Sequence, residues 1–359
     1  MKTLLYICPV IPAAKSNGIA QTNHEILKRL CKDYRVTLLI TRGIDKSDRD
    51  LIIKNYDVDL LEYRRSFFQF VVMFFKFFYF PLQSILYFGV KLPDTYFDVV
   101  YGSTVRVAPL VFRVHSGKRT INFADTLSRT FHQRSSISGW HIKWLYKYEA
   151  HRLAVLEKKT YYECDVCFSF ERACEYSVHV THGSQFDSVR HIRNANTRNV
   201  IFFGNMKYWP NRLAVEWFLQ CASFCSDLDF TFCIVGSGSD TLISHNNKKN
   251  LKILGYIEDL EKFISSAYCC IAPISFGGGI QNKVIDSLHL GCPTIIPNYL
   301  HHTGLYDVAG VTVADTFEQV RQLLKSEFLP LVDIEDVKLK YNWTKCYEQI
   351  KAELEDEKH

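Results

Sequence analysis

Short apolar runs recur along this chain, each bounded by a loop and answered by a stretch whose apolar residues fall three or four apart. Thr3–Val10 is the first run, and it ends in the Pro-rich loop Pro9–Gly18. Gln21–Cys31 follows as an amphipathic helix through Ile26, Leu27 and Leu30, and Arg35–Ile40 reads as a second buried strand. Phe97–Tyr101, Thr120–Phe123 and Val166–Ser169 continue the strand series. Strand, loop, helix and strand in this order predict a parallel sheet with right-handed crossovers.

From His179 to Arg198 the chain turns polar and loses its periodicity, which marks a linker. The alternation restarts with strands at Val200–Phe203, Phe230–Val235, Leu251–Leu254, Cys269–Pro273 and Thr294–Pro297, and helices at Leu213–Phe224, Leu260–Ala267 and Lys283–Leu290. The expected fold is therefore α/β: two Rossmann-like, doubly wound domains facing a cleft, with ligands at the carboxyl ends of the strands. Their spans are residues 1–180 and 199–341, joined by residues 181–198. A chain of 359 residues suits two cores, because single cores stop growing at about 250–300 residues.

One segment breaks the pattern. Arg64–Phe88 opens with Arg64 and Arg65 and continues as a block of phenylalanines broken by Gln69, Lys76 and a few aliphatic residues, with Pro81 after it. It is too short to span a bilayer comfortably, so two readings stand: a helix buried against the first sheet, or an interfacial helix. In the second, Arg64, Arg65, Phe67, Phe68, Phe74, Phe75 and Lys76 face an anionic membrane surface.

The net charge of +5 comes from 43 basic and 38 acidic side chains, a balance that gives no support to nucleic-acid binding. Twelve cysteines are scattered, with one C-x-x-C at Cys164 and Cys167 and no second pair at ligand spacing, so reduced thiols in a cytoplasmic protein are expected and a zinc site is not. Pro9, Pro12 and Lys15 interrupt the N-terminal apolar run, which fits a first strand better than a signal peptide.

Candidate chemistry concentrates in Phe276–Asp286, where three glycines, Gly277–Gly279, meet a helix start. Unpaired N–H groups and the positive end of the helix dipole make such a start a phosphate site. Gly278, Gly279 and Ile280 supply N–H groups, Lys283 supplies a full charge, and Asp286 can accept bonds from ribose hydroxyls. A plain packing turn explains neither the third glycine nor the lysine. Gly236-Ser237-Gly238 lacks the third glycine of a dinucleotide fingerprint, so no nicotinamide cofactor is expected.

Several blocks in order resemble the GT-B nucleotide-sugar glycosyltransferases, specifically the retaining group called family 4. The strongest are Phe203-Gly204-Asn205-Met206-Lys207-Tyr208-Trp209-Pro210-Asn211 and Gly277–Asp286; Val235–Gly238, Leu254–Tyr256 and Ala267–Pro273 fall between them. Asn122–Ser128 and Tyr148–Glu157 are similar to first-domain blocks, and the resemblance runs on to Tyr341–Lys345. It implies sugar transfer from a nucleoside-diphosphate sugar held by the second domain to a glycan or lipid-linked acceptor held by the first, in surface polysaccharide or glycolipid synthesis. It also implies that residues 342–359 form a helix crossing back to the first domain.

That family generally carries two acids eight residues apart at this turn; here the second is Asp286 and the first is missing. Its usual first-domain histidine has no clear counterpart, and Asp125 is the nearest polar residue, either as a base or as a helix N-cap. Gly204, Asn205 and Lys207 at a strand end read as a further diphosphate contact or a plain surface loop, Gly18 as a close approach to the diphosphate or a turn glycine, and Gly236, Tyr256, Ile257 and Asp286 as the nucleoside contacts, Asp286 alternatively complementing the helix dipole. Fixed positive charge at the diphosphate removes the need for a metal ion. Two other readings share the architecture: a nucleotide-sugar epimerase, and a non-catalytic nucleotide-binding scaffold.

Overall fold

A computed structural model describes residues 1–14, 18–61, 63, 80–85, 87, 90–172, 177–186, 197–245, 249–277 and 279–356, and structural statements below refer to these. They form two units: Met1–Thr181 with Trp343–His359, and His182–Asn342.

The first unit is built on β1 (Thr3–Cys8), α1 (Gly18–Asp33), β2 (Arg35–Ile40), α2 (Lys46–Asn55), β3 (Val58–Leu61), β4 (Phe97–Ser103), β5 (Ser116–Asn122), α3 (Leu127–Ile137), α4 (Trp140–Glu163), β6 (Val166–Ser169) and β7 (Val178–His179). The strands are all parallel in the order β3-β2-β1-β4-β5-β6-β7. Order reverses between β1 and β4, the place where an open α/β sheet leaves a ligand crevice.

The second unit runs β8 (Asn199–Phe203), α5 (Trp209–Phe224), β9 (Thr231–Val235), β10 (Leu251–Gly255), α6 (Leu260–Ser266), β11 (Cys269–Ile271), α7 (Asn282–His289), β12 (Thr294–Ile296), β13 (Val311–Val313), α8 (Phe317–Ser326) and α9 (Ile334–Lys340). Its parallel order, β10-β9-β8-β11-β12-β13, reverses between β8 and β11. Alternate residues explain why the sheet is covered on both faces. Val200, Phe202, Phe232, Ile234, Cys269 and Ile271 enter one core, while Ile201, Phe203, Cys233, Val235 and Cys270 enter the other.

The final helix, α10 (Trp343–Glu355), belongs to the first unit. Trp343, Cys346, Tyr347, Ile350 and Leu354 are its buried residues. Tyr347 Oη donates to Asp33 at 2.6 Å, Lys351 Nζ reaches the same carboxylate at 3.0 Å, and Lys118 Nζ donates to the carbonyl of Glu353 at 2.5 Å. The described cysteines are free thiols, including the buried Cys164 and Cys167. No helix among the described residues is long and apolar enough to cross a membrane.

Candidate active site

In the second unit, three glycines end three neighbouring strands and hold one another's backbones. Gly204 N donates to Val235 O at 3.0 Å, Gly236 N to Gly255 O at 2.7 Å, and Met206 N to Ser237 O at 2.8 Å. Gly236 has φ +130°, and a Cβ there would lie 1.9 Å from the Gly204 carbonyl oxygen, so no other residue fits. Gly238 lies against the Lys207 side chain, and the lysine itself is exposed. Beyond Gly255, Tyr256 is 77% exposed while Ile257 packs on the core. Gly204, Asn205, Lys207, Gly236, Tyr256 and Ile257 thus come from the ends and following turns of adjacent strands.

Lys283 sits in the first turn of α7, beside the reversal of strand order. Its Nζ donates to Asn211 Oδ1 at 2.6 Å and lies 4.5 Å from the centroid of the Phe202 ring. Asn211 Nδ2 in turn donates to the Asn205 carbonyl at 2.9 Å. Asn211 therefore couples the two glycine-bearing loops, a role the sequence did not disclose because a polar residue just after Pro210 reads as helix surface. Loss of hydration pulls the Lys283 ammonium down to about 8, against a smaller upward pull from Cys270.

The glycine turn is braced at both ends. Gly277, with φ +106°, offers its carbonyl to Tyr299 Oη at 2.8 Å, and Gln281 Nε2 donates to the Gly279 carbonyl at 3.2 Å. Phe276 packs against Trp209 at 5.4 Å between ring centroids. Gln281 is the N-cap of α7 but makes no side-chain cap, so the helix start keeps amide donors for an anion. Gly279 and Ile280 lie in this turn; Gly278 falls outside the described residues.

Asp286 does not take the position expected of it. Its side chain is turned inward and the residue is 4% exposed. Oδ1 accepts from Ser184 Oγ at 2.6 Å and from the Gln185 amide at 3.2 Å, and Oδ2 accepts from Gln185 Nε2 at 2.7 Å. This carboxylate fastens residues 184–185 to α7. Those partners lie about a hundred positions away in a stretch read as linker, which is why the sequence pointed elsewhere.

In the first unit, Asp125 follows β5, next to the reversal of strand order. It does not cap α3. Thr126 is the N-cap residue, and the amides there are taken by carboxylates from other elements: Thr126 N donates to Glu171 Oε1 at 2.9 Å, and Ser128 N to Glu157 Oε1 at 3.0 Å. Glu171 also accepts from Thr126 Oγ1 and Arg129 Nη1, each at 2.9 Å. Asp125 is left with its carboxyl unspent on capping. Burial raises it to about 6, helped by the Glu171 charge and opposed by Arg106.

The backbone around it is strained. Ala124 has φ +58° and Thr104, at the end of β4, has φ +78°; both adjoin Asn122, which receives the Ala124 amide at Oδ1 (2.8 Å) and the Thr104 amide at its carbonyl (2.7 Å). Such conformations persist where surroundings over-determine them, typically at working sites. Asn23, buried at 1%, accepts from Tyr6 and Ser103, while its Nδ2 has no hydrogen-bond partner. Gly18 is the first residue of α1. Arg64, Arg65, Phe67, Phe68, Phe74, Phe75 and Lys76 lie outside the described residues.

Residues 197–326 match the family described as Glycosyl transferases group 1. That span holds the glycine-ended strands, Asn211 and Lys283. Among solved structures, the chain is similar to Anabaena Alr3699/HepE in complex with UDP and glucose, with TM-score 0.63 and 11% identity over 99% of both chains. It is also similar to a glycosyltransferase from Rickettsia africae ESF-5, with TM-score 0.60 and 10% identity over 98% of both chains. A third is WaaG, a glycosyltransferase involved in lipopolysaccharide biosynthesis, with TM-score 0.54 and 10% identity over 97% of this chain and 95% of that one. The fold is the two-domain α/β arrangement of GT-B glycosyltransferases. No curated protein matches the chain in sequence.

Proposed function

We propose that this protein is a retaining glycosyltransferase that moves a sugar from a nucleoside-diphosphate sugar to a glycan or lipid-linked acceptor without a metal ion. The observation that carries the reading is the Lys283 ammonium, held by Asn211 beside a braced glycine turn and an uncapped helix start. As the anomeric carbon–oxygen bond breaks, the departing diphosphate gains charge, and these groups are already aimed to receive it. The acceptor hydroxyl attacks from the face the phosphate leaves, and its proton passes to the leaving phosphate oxygen. Asp125, raised to about 6, orients the acceptor or takes part in that transfer.

UDP and UDP-glucose, found in HepE complexes, are the first members of a donor panel, and the WaaG likeness favours a glycolipid or surface polysaccharide acceptor. Thermal stabilisation by nucleoside diphosphates and their sugars tests the site, because a ligand bound to the native state raises apparent stability. At least one nucleotide should stabilise the protein, and Lys283→Ala should abolish the shift. An unchanged shift in the variant refutes the role of Lys283. Epimerised free nucleotide-sugar formed without acceptor refutes transfer.

A further inference from the structure

We propose that the outward face of α4 docks on the surface of an anionic lipid bilayer. This helix is long for a soluble domain, and its burial is uneven. From Glu149 onward one side packs inward through Ala150, Leu153 and Leu156, but Trp140–Tyr148 carries no buried residue. Trp140 is 86% exposed, Trp144 64%, Tyr148 45% and Val155 57%. At about 100° per residue, these four fall within roughly 80° of one another. They form one stripe along a helix of 24 residues, about 36 Å long.

Charge decides the partner. Along the exposed first half of α4, Trp140–Tyr148, the charged residues are Lys143 and Lys147, both exposed, and there is no acid. The two acids inside α4, Glu149 and Glu157, are buried at 2% and 8%, and its exposed acid is Glu163, its last residue. A basic, aromatic stripe repels a second copy of itself. Indole rings with lysines beside them suit the headgroup layer, where an apolar ring body and a polar N–H are both satisfied, and anionic lipid attracts the lysines. This docking does not depend on the catalytic reading.

The test uses the full chain and vesicles of phosphatidylcholine alone or with about one third phosphatidylglycerol. Of five tryptophans, Trp343 is buried and Trp209 and Trp217 are half-buried, so a blue shift on binding that is lost in the Trp140→Ser, Trp144→Ser variant reports those two rings. Binding should require phosphatidylglycerol, weaken with salt and be quenched by brominated lipid. Trp140→Ser with Trp144→Ser should lower partitioning at least tenfold, as should Lys143→Glu with Lys147→Glu, while melting temperature and nucleotide-induced stabilisation stay at wild-type values. No vesicle binding overturns the proposal. So does binding unchanged in the tryptophan variant, or tryptophan-dependent binding to a single-stranded oligonucleotide in place of vesicles.

Discussion

Lys283 is pulled two ways, since a phosphate needs it charged while loss of water favours the neutral amine. Held at about 8 in the free protein, it should give kcat/KM a basic limb near pH 8, and bound diphosphate should move that limb upward. Because its native value is depressed, the lysine's contribution to stability grows as pH rises from about 8 to its ordinary 10.5, which urea melts across that range can read. Lys283→Ala should lower kcat by about 10²–10³, the cost of losing a donor aimed at developing charge. Asp125 runs the opposite way. Its native value of about 6 lies above the ordinary 3.8, so its proton stays on longer when folded, and stability falls as pH rises through that interval. Asp125→Asn should therefore stabilise the protein at neutral pH, by up to about 3 kcal/mol, while lowering activity. The place of Lys283 in the first turn of a helix, just after three glycines, was legible in the sequence. Asn211 and the inward turn of Asp286 were not, since each depends on a partner fixed only by packing.

The interlocked turns after β8 and β9 are the most exacting element of the second unit. Gly236→Ala drives a methyl into the Gly204 carbonyl and strains a positive φ, so a loss of about 3–5 kcal/mol in denaturant melts is expected. The start of α3 shows another way of building an element. Its first amides are satisfied by Glu171 and Glu157 from other elements, so its own sequence, Leu127-Ser128-Arg129-Thr130, carries no sign of the cap. Strands and helices themselves were readable from periodicity: the expected strand Arg35–Ile40 is β2, and Val166–Ser169 is β6. Ends were less so. The run Cys269–Pro273 pairs only as Cys269–Ile271, because apolar residues continue past the last ladder bond into a buried loop.

At the scale of the molecule, the units divide the chain unequally in sequence: one is continuous and the other is assembled from both ends. Removing residues after Asn342 strips Trp343, Tyr347, Ile350 and Leu354 from the first unit and leaves Asp33 without Tyr347 and Lys351. Calorimetry of this truncation should show a lowered or lost transition for the first unit and a retained transition for the second. Loss of both together would mean that the chain unfolds as one cooperative body.

Synthesis runs from the amino end, and that split assembly has a consequence for a nascent chain leaving the ribosome. Strands β1–β7 emerge early and Trp343–Glu355 last, so the internal half should reach its native form before the leading half is complete.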